Sequence, residues 1–175
     1  MRRAWLVVLL LAGGTPLLGA QEFHPPPVQR SGDHGTRFGL FGFGVRGGVD
    51  ASGSKQMVFG VTLDAGHLFG SRFRIRPSGE IGVFNGVNSY VGSIEALYRF
   101  TPDDQAVTPY AGGGFSIVGH DSCGADPECP DLWANLVVGV ELHYRSTFNW
   151  LIEYHAMDHF NHNRFYVGLT TRRGN

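Results

Sequence analysis

From residue 37 onward this chain repeatedly alternates apolar residues with polar or small ones, and that period of two constrains its fold more than any motif it carries. Residues 163–172 show the pattern. Asn163, Phe165, Val167, Leu169 and Thr171 take one parity, and Arg164, Tyr166, Gly168, Thr170 and Arg172 the other. Successive side chains of a strand point to opposite faces, so one face here is greasy and the other carries guanidinium groups. The same reading gives strands at roughly 37–48, 56–68, 72–85, 89–101, 107–119, 133–145, 147–157 and 162–173. Each is long enough, when tilted, to cross a bilayer. The connections are expected to alternate. Those at Gly70-Ser71, 101–105 and Arg145-Ser146 read as short, and those near 49–55, 86–88, 120–132 and 158–161 include the longest.

The polar parity decides which way the greasy face points. A soluble barrel turns apolar side chains inward and long charged ones outward. Here the polar parity is rich in Gly, Ser and Thr, and its charges come in both signs. Arg74, Arg76, Arg99, Arg164 and Arg172 share it with Asp64, Glu80, Glu95, Glu141 and Glu153. Such a set fills a narrow interior in which every charge needs a partner. The apolar parity ends in rings, with Tyr98, Phe100, Tyr144, Phe148, Trp150 and Tyr154 placed as interfacial girdles would be. Strand one is ambiguous; Phe41, Phe43 and Val45 are assigned to the greasy face and Gly42, Gly44 and Arg46 to the other. The expected architecture is all-β, an eight-stranded antiparallel up-and-down transmembrane β-barrel over residues 37–175.

The remaining segments fit an exported chain. Met1-Arg2-Arg3-Ala4-Trp5, the apolar run Leu6–Ala12 and Leu18-Gly19-Ala20 read as a signal peptide over residues 1–20. Residues 21–36, with Pro25-Pro26-Pro27, read as a flexible tail. Without Arg2 and Arg3 the 14 basic residues fall to 12 against 15 acidic, and no basic patch points to nucleic acid. The only cysteines, Cys123 and Cys129, lie in a loop rich in Gly, Asp and Pro and are expected to form a disulfide in an oxidising compartment.

Candidate chemistry is sparse. His155, Asp158, His159 and His162 cluster in sequence around the last loop, and His120, Asp121, Asp126 and Glu128 in the longest one. Their spacing matches no metal motif, so neither metal nor other cofactor is expected. Glu153 with His143, or Glu141 with Arg74, could form acid–base pairs, but in a small barrel they read as structural ion pairs. The run Gly112-Gly113-Gly114 lacks the lysine and helix of a phosphate loop.

On this pattern, on Pro109-Tyr110-Ala111-Gly112-Gly113-Gly114 and on Trp150-Leu151-Ile152-Glu153-Tyr154, the chain resembles the small outer-membrane β-barrel family of OmpA and OmpX type over residues 37–173. It departs from that family at its end, Arg172-Arg173-Gly174-Asn175, where members commonly finish in an aromatic residue. The resemblance implies a monomer in bacterial outer-membrane lipid, with a structural or adhesin-like role carried by loops 120–132 and 156–162 and with a packed lumen. The alternatives are a soluble exported barrel binding a small hydrophobic ligand, a narrow porin, or a lipid A-type acyl hydrolase. The last requires a serine two residues after a histidine. Met157 and Asn161 stand at those positions after His155 and His159, so no enzyme is expected.

Overall fold

The computed structural model describes residues 35–53, 55–102, 105–125, 129–144 and 147–171. The signal-peptide segment, nearly all of the tail, Asp126, Glu128, Arg145 and Arg172 lie outside them. Eight strands follow in order: β1 (Arg37–Asp50), β2 (Met57–His67), β3 (Phe73–Val83), β4 (Ser89–Arg99), β5 (Val107–His120), β6 (Asp131–His143), β7 (Phe148–Met157) and β8 (His162–Thr171). Each pairs antiparallel with the next, and β8 pairs back onto β1, so the sheet is a closed barrel.

The register fixes the stagger of the ring. Facing residues lead from Arg46 through Gly60, Glu80, Val91 and Val118 to Asp131 on β6. The opposite way round, through Gly168 and Leu151, they lead to Glu141 on the same strand. The ring therefore closes with a stagger of ten residues, Asp131 to Glu141. A staggered eight-stranded barrel tilts its strands by about 35–45° and leaves an interior that side chains alone can fill.

Alternation places the side chains as the sequence predicts. Val45, Val61, Ile94, Ile117, Val138, Ile152 and Val167 stand on the outer wall, and Arg46, Thr62, Glu95, Ser116, Glu153 and Arg164 are buried inside. At the end where β1 begins and β8 finishes, here the terminal end, Phe73 packs tilted on Tyr98 and Phe100 packs T-shaped against it on the outside, with ring centroids 6.4 and 5.5 Å apart.

Three features depart from the sequence-based expectations. The alternation of β2 is broken by a bulge: Thr62 faces Ser78, but Gly66 faces Ile75, so β2 holds one extra residue there. Asp64 causes it locally, because its Oδ1 accepts the Gly66 N–H at 3.0 Å while Gly66 takes φ +118°, a conformation open to glycine. The parity flips beyond the bulge and His67 is buried. Second, the lumen is not wholly polar: Leu97, Tyr110, Val137 and Leu151 form one apolar cluster, and Val91, Val118 and Met157, with Trp133 against them, form another. Third, the connections do not alternate regularly in length. The connection 121–130 is the longest, but 100–106 at the terminal end exceeds 84–88 and 158–161 at the other.

Candidate functional site

The interior is layered, and each layer can be read down single strands. From the long-loop end toward the terminal end, the inward residues of β4 are Val91, Ser93, Glu95, Leu97 and Arg99. Those of β7 are Met157, His155, Glu153, Leu151 and Asn149. Both strands pass from apolar to polar to acidic, then to leucine and again to a polar group. The barrel thus has an apolar plug, an ionic centre, a second apolar layer and a polar foot.

The ionic centre is a chain of alternating charge. Asp50 accepts from Arg164 Nε at 3.3 Å, and Arg164 NH1 bonds Glu80 at 2.8 Å. Glu80 also binds Arg46, which reaches Glu153 at 2.6 Å. Glu153 in turn pairs with Arg76, which reaches Glu95 at 2.7 Å. Four carboxylates and three guanidinium groups therefore alternate across five strands. A histidine stands at each end: His162 Nδ1 lies 2.9 Å from Asp50, and His155 lies 3.6 Å from Glu95 and 3.2 Å from Glu153. The hydroxyls of Tyr166 and Tyr110 donate to Glu80 at 2.5 Å and to Glu153 at 2.6 Å. Arg46 also lies under the Tyr166 ring, 4.6 Å from its centroid. Burying these charges is tolerable only because each is flanked by opposite charge and by hydrogen bonds.

The charged residues singled out in sequence are brought together in two further pairs near the terminal end. Arg74 bonds Asp64 at 2.8 Å, and Arg99 bonds Glu141. Glu141 thus pairs with Arg99 rather than Arg74, and Glu153 with His155 rather than His143. Arg46 is the central group that sequence reasoning left out of the network, together with Asp50, Tyr110, Tyr166 and His155. Its signal was present, since Arg46 shares the parity of Gly42 and Gly44. The glycine-rich strand one simply lacks a clear greasy partner set.

The loop residues disperse. His155 is in the lumen, His162 stacks on Trp133 with ring centroids 4.7 Å apart, and Asp158 and His159 occupy the turn. Asp158, His159 and Phe160 all take positive φ, and the turn closes where the Asn161 N–H donates to Asp158 O at 2.9 Å. The Asn161 side chain bonds the Asp158 carboxylate and holds it below its usual range. In the long connection, Cys123 and Cys129 are disulfide-bonded, with Cα atoms 5.1 Å apart. Asp121 is tied to the barrel rim by the Tyr90 hydroxyl at 2.8 Å and the Asn88 N–H at 3.2 Å, which holds its carboxyl low.

No protein-family model matches this chain, and no curated protein is significantly similar to it in sequence. Solved structures do match. The N-terminal β-barrel domain of Pseudomonas aeruginosa OprF is similar at a TM-score of 0.57, with 11% identity over 75% of this chain and 97% of that one. Neisserial surface protein A is similar at a TM-score of 0.53, with 12% identity over 75% of this chain and 94% of that one. At such identity the likeness speaks for the fold. This chain has the closed eight-stranded fold of the small β-barrels of bacterial outer membranes.

Proposed function

We propose that the protein is a monomeric outer-membrane barrel whose lumen is closed and whose role, structural or adhesin-like, is exercised at the long-loop end. The observation that carries this reading is the combination of an apolar outer wall with an interior occupied from plug to foot by bonded side chains. A barrel that puts Val138 and Ile152 outside and Arg46 and Glu153 inside has its solvents reversed relative to a soluble carrier. Among the described residues, each charge of the row is bonded to at least one of opposite sign, so a permeating ion would have to break an existing pair. The proposed role includes no catalytic step. With the lumen closed, the surfaces left for interaction are the connections 51–56, 84–88, 121–130 and 158–161. The disulfide and the Tyr90–Asp121 bond hold the longest of these in shape.

The test is membrane fractionation of the full chain together with planar-bilayer recording on refolded protein. The expected result is recovery with outer-membrane lipid, detergent dependence and no stable conductance. Recovery as a soluble monomer, or a large steady conductance, would overturn the proposal.

A further inference from the structure

The fold brings a third side chain to the disulfide. His120 ends β5, and a nitrogen of its ring lies with the Sγ atoms of Cys123 and Cys129 so that all three fall within 4.8 Å of one another. The three side chains are half-buried at the long-loop end. The spacing of the cysteines alone matches no metal motif; the third group becomes visible only where β5 runs into the loop. We propose that the dithiol form of this chain binds one zinc-type cation through Cys123, Cys129 and His120, and that the disulfide form does not. The inference goes beyond the surface role proposed above, because it adds a metal site to the connection that carries that role.

The donor set selects the ion. Two thiolates and an imidazole are soft to borderline ligands, which suit zinc and not magnesium or calcium. Bonds of about 2.3 Å to sulfur and about 2.0–2.1 Å to nitrogen place ligand atoms about 3.5–3.8 Å apart around a tetrahedral ion. The three atoms already lie inside a comparable span of 4.8 Å, and reduction frees the sulfurs to part. Three protein ligands leave the fourth position to water. In the disulfide both sulfurs are bonded to each other and carry no negative charge, so the imidazole alone does not hold the ion. Binding to the dithiol forms two sulfur–zinc bonds and one nitrogen–zinc bond, and the two thiol protons leave to solvent.

The ligands are positioned by contacts that do not pass through the bridge. Gly119 and His120 face Tyr90 and Ser89 in the β4–β5 ladder, and Ile117 and Val118 face Leu132 and Asp131 where β6 takes the chain back. Asp121 is tied to the Tyr90 hydroxyl and the Asn88 N–H. Cys123 opens the single 3₁₀ turn Cys123–Ala125, and Cys129 stands two residues before β6. The His120 backbone N–H donates to Cys123 Sγ at 3.1 Å. A donor aimed at a sulfur stabilises negative charge on it and orients it, as the hydrogen bonds behind metal ligands do. The Ser122 N–H donates to His120 Nδ1 at 3.2 Å; Ser122 is exposed, so water satisfies that donor when the ring turns to an ion.

The experiment uses the full chain refolded in detergent micelles. It is reduced with a phosphine, which takes oxygen from water while both sulfurs gain hydrogen, and the phosphine is then removed under argon. Cobalt(II) is the spectroscopic probe and zinc(II) its competitor. The expected result is a thiolate-to-cobalt charge-transfer band with the visible bands of tetrahedral cobalt, saturating at one ion per chain and bleached by zinc. The unreduced chain should show neither. Cys123→Ser should lose the charge-transfer band, and His120→Ala should weaken cobalt binding at least about tenfold, since a ligand costs no less than the groups behind it. His159→Ala, which removes an exposed histidine of another connection, should leave the affinity unchanged. Absence of the band in the reduced wild-type chain would overturn the proposal. So would equal affinity in His120→Ala, an equal band from the unreduced chain, or saturation at one ion per two chains. Conductance and fractionation are read separately, so failure here leaves the closed-barrel reading standing.

Discussion

At the scale of the residue, the ionic centre behaves as a row in which position determines cost. Glu153 sits inside the row, bonded to Arg46, Arg76, Tyr110 and His155. Glu95 sits at its end, with Arg76 as its guanidinium partner. Removing a buried carboxylate strands the cations around it, at about 3–5 kcal/mol for a dry pair. Glu153→Ala is therefore expected to destabilise the barrel by about 3–5 kcal/mol, and Glu95→Gln by clearly less, since one cation rather than two loses a partner. Urea unfolding of both variants in micelles, followed by tryptophan fluorescence, measures the difference. Equal losses would mean that water shares the charges of the lumen. The members of the row taken from β3, β4, β7 and β8 were legible from parity alone, because each lies opposite an unmistakable apolar residue. Arg46 was not placed among them because glycine occupies so much of its strand that neither face declares itself. Pairing is also not a property of one strand: which acid meets which arginine depends on the ten-residue stagger, and a single sequence does not contain that stagger.

At the scale of the element, the strands were legible because both of their faces are constrained, one by apolar surroundings and the other by a narrow interior. The bulge at Asp64–Gly66 was not, since it arises from a side chain bonding its own backbone two residues on, which leaves the local composition unchanged. The inward apolar clusters were missed for a related reason: in Val137-Val138 the two faces look alike, and only the ring tells them apart. The outer face makes its own prediction. Val138 lies near mid-height of β6, so Val138→Arg should cost about 2–4 kcal/mol in lipid. Gly92→Leu should be tolerated on the same wall, because a Cβ there meets nothing within 4 Å. Refolding yield into phospholipid vesicles separates the two. The long connection makes another. Its Asp121 carboxyl is held below the ordinary value mainly by the Tyr90 hydroxyl. The stabilising effect is present above the unfolded-state value, near pH 3.9, and is lost as pH falls through the lower folded value. Tyr90→Phe should raise the Asp121 titration midpoint, as read by carboxyl-carbon NMR; an unchanged midpoint would show that the bond does not form in solution.

At the scale of the whole molecule, the decisive contact is the seam where β8 returns to β1. Backbones approach there until no side chain fits. A Cβ on Gly48 would lie 2.0 Å from Phe165 O, and one on Gly168 would lie 2.3 Å from Val45 O. Gly168→Val should therefore block closure, leaving β1 and β8 as bare edges that lipid cannot hydrate. The expected readout is loss of the heat-modifiable gel band that a closed barrel gives, while Gly92→Leu keeps it. The seam also has a consequence for the order of events in the life of the molecule. Its two sides are the first and last strands of the barrel, separated by nearly all of the chain between them. A chain that lacks its last strand cannot close, and it keeps an unmatched margin until that strand arrives. Completion and closure are thus one event rather than a gradual growth. Until then two strand edges stay bare; afterwards the sheet has no margin left to cover.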